Sequence, residues 1–361
     1  MSTVVMSQVR AARRLGSTFV GVSLRLALLA SVAGCAAEKS EPIWSLSGAT
    51  MGTRYNVSVV GGDEADAKAL QQRLDERLAE VNRRMSTYDP QSELSRFNAG
   101  DSTDWFDVSA ETASVVQSAL ELASASEGAF DPTVGPLVNL WGFGPDKRRD
   151  EAPSDGDIAA AKARVGFAAV EARLDPPALR KATPGVYLDL SAIAKGHGVD
   201  AVAELIAEAG YAAAMVEIGG EVRAFGAKPG GKPWRIGLEK PESGLTHSLQ
   251  EVIELSDRSL ATSGDYRNFF EVDGRRYSHT IDAATGRPVT HNLATVTVQA
   301  TTCRDADGLA TTLLVLGPTA GYDWAVGRGV AALFVSRTDD ELIERTTPAW
   351  ERPADHPGTK P

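Results

Sequence analysis

One stretch, residues 263–288, constrains the fold of this chain more than any other. It holds two strand-like segments, 268–272 and 276–281, joined by Asp273-Gly274. An Asp-Gly pair between such segments is a strong signal for a tight hairpin turn, because both residues tolerate positive φ. A second turn containing glycine and proline follows directly. The sequence therefore predicts a β-hairpin that holds His279 at a strand end beside a rigid turn.

The neighbours of His279 leave two interpretations open. A lone histidine in a strand is more often a packed or surface residue than a catalytic one. Strand ends and their loops, however, are common places for chemistry. The same two turns also carry many polar residues, which a core hairpin would not need at one end: Ser263, Asp265, Tyr266, Ser278, Asp282 and Thr285.

Composition limits the class of protein. The 361 residues are 43% hydrophobic and 24% charged, as in ordinary globular proteins, and allow one large domain or two smaller ones. A net charge of −11 without a basic block in the body of the chain argues against nucleic-acid binding. Two cysteines, Cys35 and Cys303, indicate neither a disulfide framework nor a cysteine metal site.

The first 34 residues have the layout of a signal peptide. A basic segment precedes an apolar run over 19–34, and this run ends in Val-Ala-Gly before Cys35. That ending resembles a bacterial lipobox, which implies cleavage before Cys35 and lipid attachment to its thiol. The protein would then be anchored to the inner or outer membrane, face the periplasm or the cell exterior, and carry a tether over 35–43. An ordinary secretory signal is the alternative, and a transmembrane helix fits less well because the run is short and contains Arg25.

The rest of the chain mixes helix and strand patterns. Helical patterns cover 65–85, 110–127, 157–165 and 304–316, and a further helix follows the strand that ends at 190 and continues to about 209. Strand patterns cover 44–60, 185–190, 211–225, 234–239, 249–255, 293–300 and 330–336. We predict an α+β fold with a mixed, largely antiparallel sheet flanked by helices. The domain is expected over 44–348, and residues 349–361 are expected to form a disordered tail.

Three further stretches contain residues that could bind a ligand or a metal ion. Lys195, Gly196 and Gly198 lie where a strand leads into a helix, an arrangement that suits either phosphate binding or plain helix capping. Asp307 and Thr311 are four residues apart on one helix face, where they offer hard oxygen donors for Mg²⁺ or merely favour the helix dipole. The aromatic, glycine-rich loop over 129–144 is either a rigid connection or the wall of a pocket for a flat ring.

Taken in order, these stretches resemble one family. The ordered motifs are Met51-Gly52-Thr53, Ser86-Thr87-Tyr88, Ala129-Phe130-Asp131-Pro132, Asp189-Leu190-Ser191 with Lys195-Gly196, Ile218-Gly219-Gly220-Glu221, Ser263-Gly264-Asp265-Tyr266, Ser278-His279-Thr280-Ile281-Asp282 with Thr285-Gly286-Arg287-Pro288, and Asp307 with Thr311. The set resembles the FAD:protein FMN transferase family, also called ApbE, from about residue 51 to residue 316. Two departures are His197, where the family commonly has tyrosine, and Ala283-Ala284, which replaces a more usual proline-containing turn.

The resemblance implies an enzyme that uses FAD and Mg²⁺, cleaves FAD, attaches FMN to a threonine or serine hydroxyl of an acceptor flavoprotein, and releases AMP. Typical acceptors are subunits of sodium-pumping NADH:quinone reductase or of Rnf complexes. The residues it implies are His279 as catalytic base, Ala194, Asp307, Ala310 and Thr311 around the metal, and Met51, Tyr88, Ala129, Phe130, Asp131, Ser191, Asp200 and Ile281 around FAD. A Mg²⁺-dependent FAD pyrophosphatase and a non-enzymatic flavin-binding lipoprotein remain alternatives.

Overall fold

A computed structural model describes residues 41–145, 151–241, 249–265, 269–272, 275–338 and 341–350. The predicted signal peptide, Cys35, most of the tether, the turn residues Asp273-Gly274 and the chain after 350 lie outside the described residues. Within the described ranges, every helix is too short or too polar to span a bilayer.

Within these described ranges, the strands form one large sheet and four smaller ones. Their bounds are β1 Ile43–Thr50, β2 Thr53–Val60, β3 Phe106–Asp107, β4 Val170–Leu174, β5 Pro177–Lys181, β6 Ala214–Ile218, β7 Glu221–Phe225, β8 Trp234–Glu239, β9 Leu249–Leu255, β10 Arg258–Gly264, β11 Phe269–Val272, β12 Arg275–Ser278, β13 Ile281–Asp282, β14 Arg287–Pro288, β15 Leu293–Ala300, β16 Ala331–Arg337 and β17 Leu342–Thr346. The large sheet has eight strands in the order β1-β2-β6-β7-β10-β15-β16-β17. Every neighbouring pair in it is antiparallel.

Helices accompany these strands, so the predicted α+β class with a largely antiparallel sheet is confirmed. The helices are α1 Glu64–Met85, α2 Glu93–Ala99, α3 Ala110–Ala125, α4 Gly135–Leu140, α5 Asp155–Lys162, α6 Ala194–Glu208, α7 Cys303–Leu316 and α8 Ala320–Gly327, with one turn of 3₁₀ helix at Phe167–Ala169. The longest, α1, begins at a capping box in which Asp63 and Asp66 satisfy each other's backbone N–H groups. Leucines at four-residue spacing along α1 are buried against the sheet: Leu70, Leu74 and Leu78.

Three long helices build the apolar core on two parts of the large sheet. Helices α1 and α6 pack with β1, β2 and β6 in one apolar cluster, and α7 packs with β10, β15 and β16 in another. The helices α6 and α7 also approach each other closely, because a Cβ atom at Gly196 would come within 2.3 Å of the carbonyl oxygen of Cys303. This contact brings the start of α6 to the side of α7 that carries Asp307.

The predicted hairpin forms, with a shorter second strand. Strands β11 and β12 pair from Phe269↔Ser278 to Val272↔Arg275. The prediction that the second strand runs on to Ile281 is wrong, because the chain turns after Ser278, whose hydroxyl accepts a hydrogen bond from the N–H of Thr280. Ile281 then begins β13, which pairs with β14 across the second predicted turn.

Two other predictions need correction. The strand predicted over 185–190 does not form. The backbone of Leu188 bonds to the side chain of Asn98 instead, and the N–H of Asp189 donates to the carbonyl of Pro132. The expected disorder from 349 onward is wrong for the first residues, because Ala349 and Trp350 pack into an apolar cluster and the Trp350 side chain is buried.

Candidate functional site

A cavity of about 1440 Å³ lies where the large sheet, the start of α6 and the hairpin region meet. Its size is ample for a dinucleotide-sized ligand. Most residues implied by the family resemblance line it: Met51, Tyr88, Ala129, Phe130, Asp131, Ser191, Ala194, His279, Ile281, Asp307 and Thr311. The folded chain thus brings together residues that are up to 260 positions apart in sequence.

His279 reaches the cavity from the short link between β12 and β13. It is half-buried, and its ring lies edge-to-face against Phe143 at 6.2 Å between centroids. The link is held from both sides by Trp141, whose ring lies 5.4 Å from Tyr277 and whose indole N–H donates to the carbonyl of Gly286 at 2.9 Å. Because Trp141 is buried, this bond fixes the turn firmly against α4.

A polar corner of the cavity is built by α6, α7 and β10. Asp307 is buried, and its Oδ2 accepts a hydrogen bond from the N–H of Gly196 at 2.9 Å. One turn further along α7, the hydroxyl of Thr311 lies 3.1 Å from that of Ser263. The carboxylate and both hydroxyls line the cavity, so these three side chains offer hard oxygen donors. Among the described residues, no three His, Cys, Asp or Glu side chains converge on a metal position.

Lys195 and Glu221 complete this corner. The Lys195 ammonium lies 2.9 Å from Oε1 of Glu221 and 3.6 Å from Oδ1 of Asp307. Although burial opposes it, these two carboxylates raise the pKa of Lys195 above its ordinary value. Burial raises the pKa of Glu221 to about 7, against the opposing effect of Lys195. The phosphate interpretation of Lys195 stays a prediction, since the ammonium lines the cavity yet already has two anionic partners.

A second part of the cavity lining, the aromatic wall, carries residues expected to face a flavin: Met51, Tyr88, Phe130 and Ile281. Met51 and Gly52 form the two-residue turn between β1 and β2, with φ of 48° and 70°. Both values are positive, as a type I′ hairpin turn requires, and they hold the Met51 side chain at the cavity. Tyr88 is 66% exposed and lies at the cavity mouth. Phe130 is buried, and its N–H donates to the hydroxyl of Ser126.

Two polar residues of the wall are held by local hydrogen bonds. Asp131 accepts bonds from the N–H and hydroxyl of Thr133 and from the N–H of Phe167. Burial nevertheless raises the pKa of Asp131, and these bonds counteract only part of the rise. The Ser191 hydroxyl donates to Asp189 at 2.5 Å. Both side chains therefore shape the wall as well as facing the cavity.

Asp200 and Ala310 are not among the residues that line the cavity. Asp200 is buried, where Oδ1 accepts from Arg223 at 2.7 Å and from the N–H of Cys303, and Oδ2 accepts from the N–H of Arg304. These bonds cap the first turn of α7 and occupy both carboxylate oxygens, which argues against Asp200 as a direct FAD ligand. Ala310 is a residue of α7, and its side chain is fully buried in the core between this helix and the sheet.

His197 belongs to a separate charged cluster. Its Nε2 lies 2.5 Å from Glu111, and Glu111 also pairs with Arg77 and Arg84. The two guanidinium groups already neutralise Glu111, so this carboxylate cannot hold His197 in its charged form. Burial, together with Arg304 and Arg77, lowers the pKa of His197 to about 4.

Two residues of this region have no role assigned from the sequence. Glu221 ends the motif Ile218-Gly219-Gly220-Glu221, which helps to carry the family resemblance, but no local pattern reveals the burial of its carboxylate. Trp141 lies in the aromatic loop, and the pattern of that loop does not reveal its partner Gly286, which is 145 residues away.

Comparisons with known proteins agree with this geometry. The sequence model of the ApbE family matches residues 51–334. The FAD:protein FMN transferase of Vibrio cholerae is 47% identical over 327 residues, which cover 90% of this chain and 96% of the relative. That of Haemophilus influenzae is 41% identical over 334 residues, covering 91% and 96%.

Solved structures give the same result. The flavin transferase ApbE from Vibrio cholerae superposes with a TM-score of 0.79 at 45% identity, covering 86% of this chain and 98% of that one. The apo form of the Pseudomonas stutzeri flavinyl transferase ApbE superposes with a TM-score of 0.78 at 39% identity, covering 86% and 96%.

Proposed function

This chain belongs to the ApbE family, and from that premise we propose how its cavity works as a flavin transferase site. The chain is an enzyme that transfers FMN from FAD to a protein. One observation carries the mechanism proposed here: His279, Asp307 and Thr311 line the same cavity as the aromatic wall. A base, a cation site and a flavin surface are therefore available to a single bound FAD.

The proposed reaction moves a phosphoryl group. A threonine or serine hydroxyl of the acceptor attacks the phosphorus on the FMN side of the FAD diphosphate. The new oxygen–phosphorus bond forms while the bond to the bridging oxygen breaks, and AMP leaves with that oxygen. His279 takes the hydroxyl proton, a role suited to histidine because its ordinary pKa lies near neutrality. Such a transfer depends mainly on positioning and on stabilising charge.

Mg²⁺ is the cation proposed for the polar corner. The carboxylate of Asp307 and the hydroxyl of Thr311 would hold it, together with the backbone carbonyl of Ala194, which also lines the cavity. The family resemblance adds the backbone carbonyl of Ala310, a residue outside the cavity lining. The fit rests on the donor set, which consists of hard oxygens, and on the hydrogen bond from Gly196 that fixes Asp307. When bound there, Mg²⁺ supplies Lewis-acid neutralisation of the diphosphate.

The aromatic wall would orient the FAD. Met51, Phe130 and Ile281 offer apolar surface, and Tyr88 offers an exposed ring at the mouth. Ala129, Asp131 and Ser191 line the same wall and would contribute polar and backbone contacts.

The acceptors and the cellular location are also part of the proposal. Subunits of sodium-pumping NADH:quinone reductase or of Rnf complexes are the acceptors that the family resemblance suggests. The lipobox-like sequence at Cys35 supports a lipid anchor that places the enzyme on a bacterial membrane, facing the periplasm or the cell exterior.

Two substitutions test the roles of the site. We expect His279→Ala to reduce FMN transfer by about 10²-fold or more while FAD still binds, since a general base contributes about 10²–10⁴-fold. His291→Ala is the matched control, because His291 bonds to Leu314 and does not line the cavity. If the His279→Ala variant transfers FMN at the wild-type rate, His279 is not the base. If the Asp307→Ala variant binds FAD weakly even without added Mg²⁺, Asp307 does more than hold the metal.

A further inference from the structure

Glu221 is a buried carboxylate that the proposed mechanism does not use. It is the first residue of β7, directly after the Gly219-Gly220 turn, and it is only 3% exposed. It nevertheless lines the cavity. One of its oxygens, Oε1, pairs with Lys195, whereas Oε2 is buried and has no hydrogen-bond partner within the described part of the chain.

A buried carboxylate oxygen without a partner requires an explanation, because nearly all such groups in folded proteins are satisfied. Here the neighbourhood suggests one. The Lys195 ammonium lies within 3.6 Å of both Oε1 of Glu221 and Oδ1 of Asp307, so the two carboxylates flank one point of the cavity. Because Glu221 lines the cavity and its Oε1 is taken by Lys195, Oε2 is the carboxylate atom left to serve a ligand in this corner.

Charge favours a cation as that ligand. Glu221, Asp307 and Lys195 together carry one negative charge when all three are ionised. A divalent cation at Asp307 would stand close to the Lys195 ammonium, and the repulsion between them would weaken its binding. A second carboxylate in the same corner offsets this repulsion. Mg²⁺ also keeps several waters when it binds to protein, and these waters need acceptors.

We propose that Glu221 is a second carboxylate of the cation site, with Oε1 fixed by Lys195 and Oε2 accepting hydrogen bonds from the hydration shell of a divalent cation held by Asp307 and Thr311. The inference rests on the proposed Mg²⁺ site and adds a residue to it. In this proposal Glu221 is a positioning residue, since it acts on the cation through bound water.

The test measures metal binding rather than catalysis. Mn²⁺, which prefers similar oxygen ligands, is titrated into the full chain, and the free ion is counted by electron paramagnetic resonance, with Mg²⁺ as competitor. We expect Glu221→Gln, which keeps the size and a hydrogen-bonding oxygen, to weaken Mn²⁺ binding about 10-fold, as loss of a supporting carboxylate does at other metal sites. Asp307→Asn should abolish it. Circular dichroism and FAD binding without metal establish that each variant is folded.

A double variant separates this role from simple charge balance. If Glu221 acted only by neutralising Lys195, Glu221→Gln combined with Lys195→Met would restore wild-type Mn²⁺ affinity, which would overturn the inference. Continued weak binding by the double variant supports it. If Glu221→Gln binds Mn²⁺ with wild-type affinity while Asp307→Asn does not bind it, the role of Glu221 is overturned and the proposed metal site stays intact. Absence of Mn²⁺ binding by the wild type would overturn both.

Discussion

Trp141→Phe tests whether the support of the hairpin region matters for catalysis. Trp141 packs with Leu137, Ile158 and Ile281, and its indole N–H donates to Gly286 at 2.9 Å. Its ring also contacts Tyr277, which precedes His279 by two residues. Phenylalanine keeps a ring in the same cluster but cannot donate the hydrogen bond. The substitution therefore releases one side of the link that carries His279.

The expected loss of stability follows from the lost hydrogen bond. A buried carbonyl left without its donor costs about 1–3 kcal/mol. The smaller ring leaves part of the indole volume empty, which adds roughly 1 kcal/mol. We thus expect the free energy of unfolding to fall by about 2–4 kcal/mol. A displacement of about 1 Å in a catalytic group can cost about 10²-fold in rate, so partial release should lower kcat roughly 10-fold.

The assay compares transfer, binding and stability in the same preparations. Single-turnover transfer to an acceptor gives the rate, fluorescence titration gives the Kd for FAD, and urea unfolding gives stability. FAD affinity should stay within about 3-fold, since most of the flavin wall lies on other elements. Trp234→Phe is the matched control, because Trp234 is equally buried and its indole N–H donates to Phe225 at 3.2 Å in a different cluster.

Two results would refute this reasoning. If Trp141→Phe loses the expected stability but keeps kcat within 2-fold of the wild type, Trp141 supports the fold and not His279. If Trp234→Phe lowers kcat as much as Trp141→Phe does, the loss of rate reflects general destabilisation.

Three further predictions concern buried polar groups. Lys181→Met should lower the free energy of unfolding, measured in urea, by about 2–4 kcal/mol. The buried amine donates hydrogen bonds to the carbonyls of Phe97 and Gly100 at 2.7 and 2.8 Å, and methionine cannot replace them. A loss below about 0.5 kcal/mol would contradict this. Acid should destabilise the protein through His197. The pKa of His197 is about 4 in the folded chain, below its ordinary value of about 6.5, so the unfolded chain binds the proton first as the pH falls. The free energy of unfolding should therefore fall by about 3 kcal/mol in total between pH 6.5 and pH 4. Chemical unfolding across that range should show a smaller loss in His197→Gln, and equal losses would exclude His197 as the cause. Asp200→Asn should reduce stability by about 1–3 kcal/mol while the Kd for FAD stays within 2-fold, whereas a 10-fold weaker Kd would restore Asp200 as an FAD contact.

Elements with a long or regular pattern could be predicted from the sequence. The apolar spacing of α1, the alternation in β15 and the Asp-Gly signal between β11 and β12 each depend on neighbours within a few residues. The four-residue spacing of Asp307 and Thr311 on α7 likewise placed both on one face, and both line the cavity.

Features that depend on distant partners could not be predicted in this way. Residues 186–190 look like a strand, but their backbone bonds to Asn98 and Pro132, and nothing in the local pattern identifies these partners. The burial of Asp200 against the start of α7 depends on a segment about a hundred residues away. Glu221 faces Lys195 only because two glycines turn β6 back into β7 beside α6. Tertiary packing decides all three.

The most direct test of the central claim is mass spectrometry of an acceptor domain incubated with the protein, FAD and Mg²⁺. We predict that the acceptor gains the mass of one FMN less one water on a threonine or serine, that AMP appears in equal amount, and that neither occurs with the His279→Ala variant. Free FMN and AMP with an unmodified acceptor, or intact FAD, across the acceptors proposed here would contradict the account.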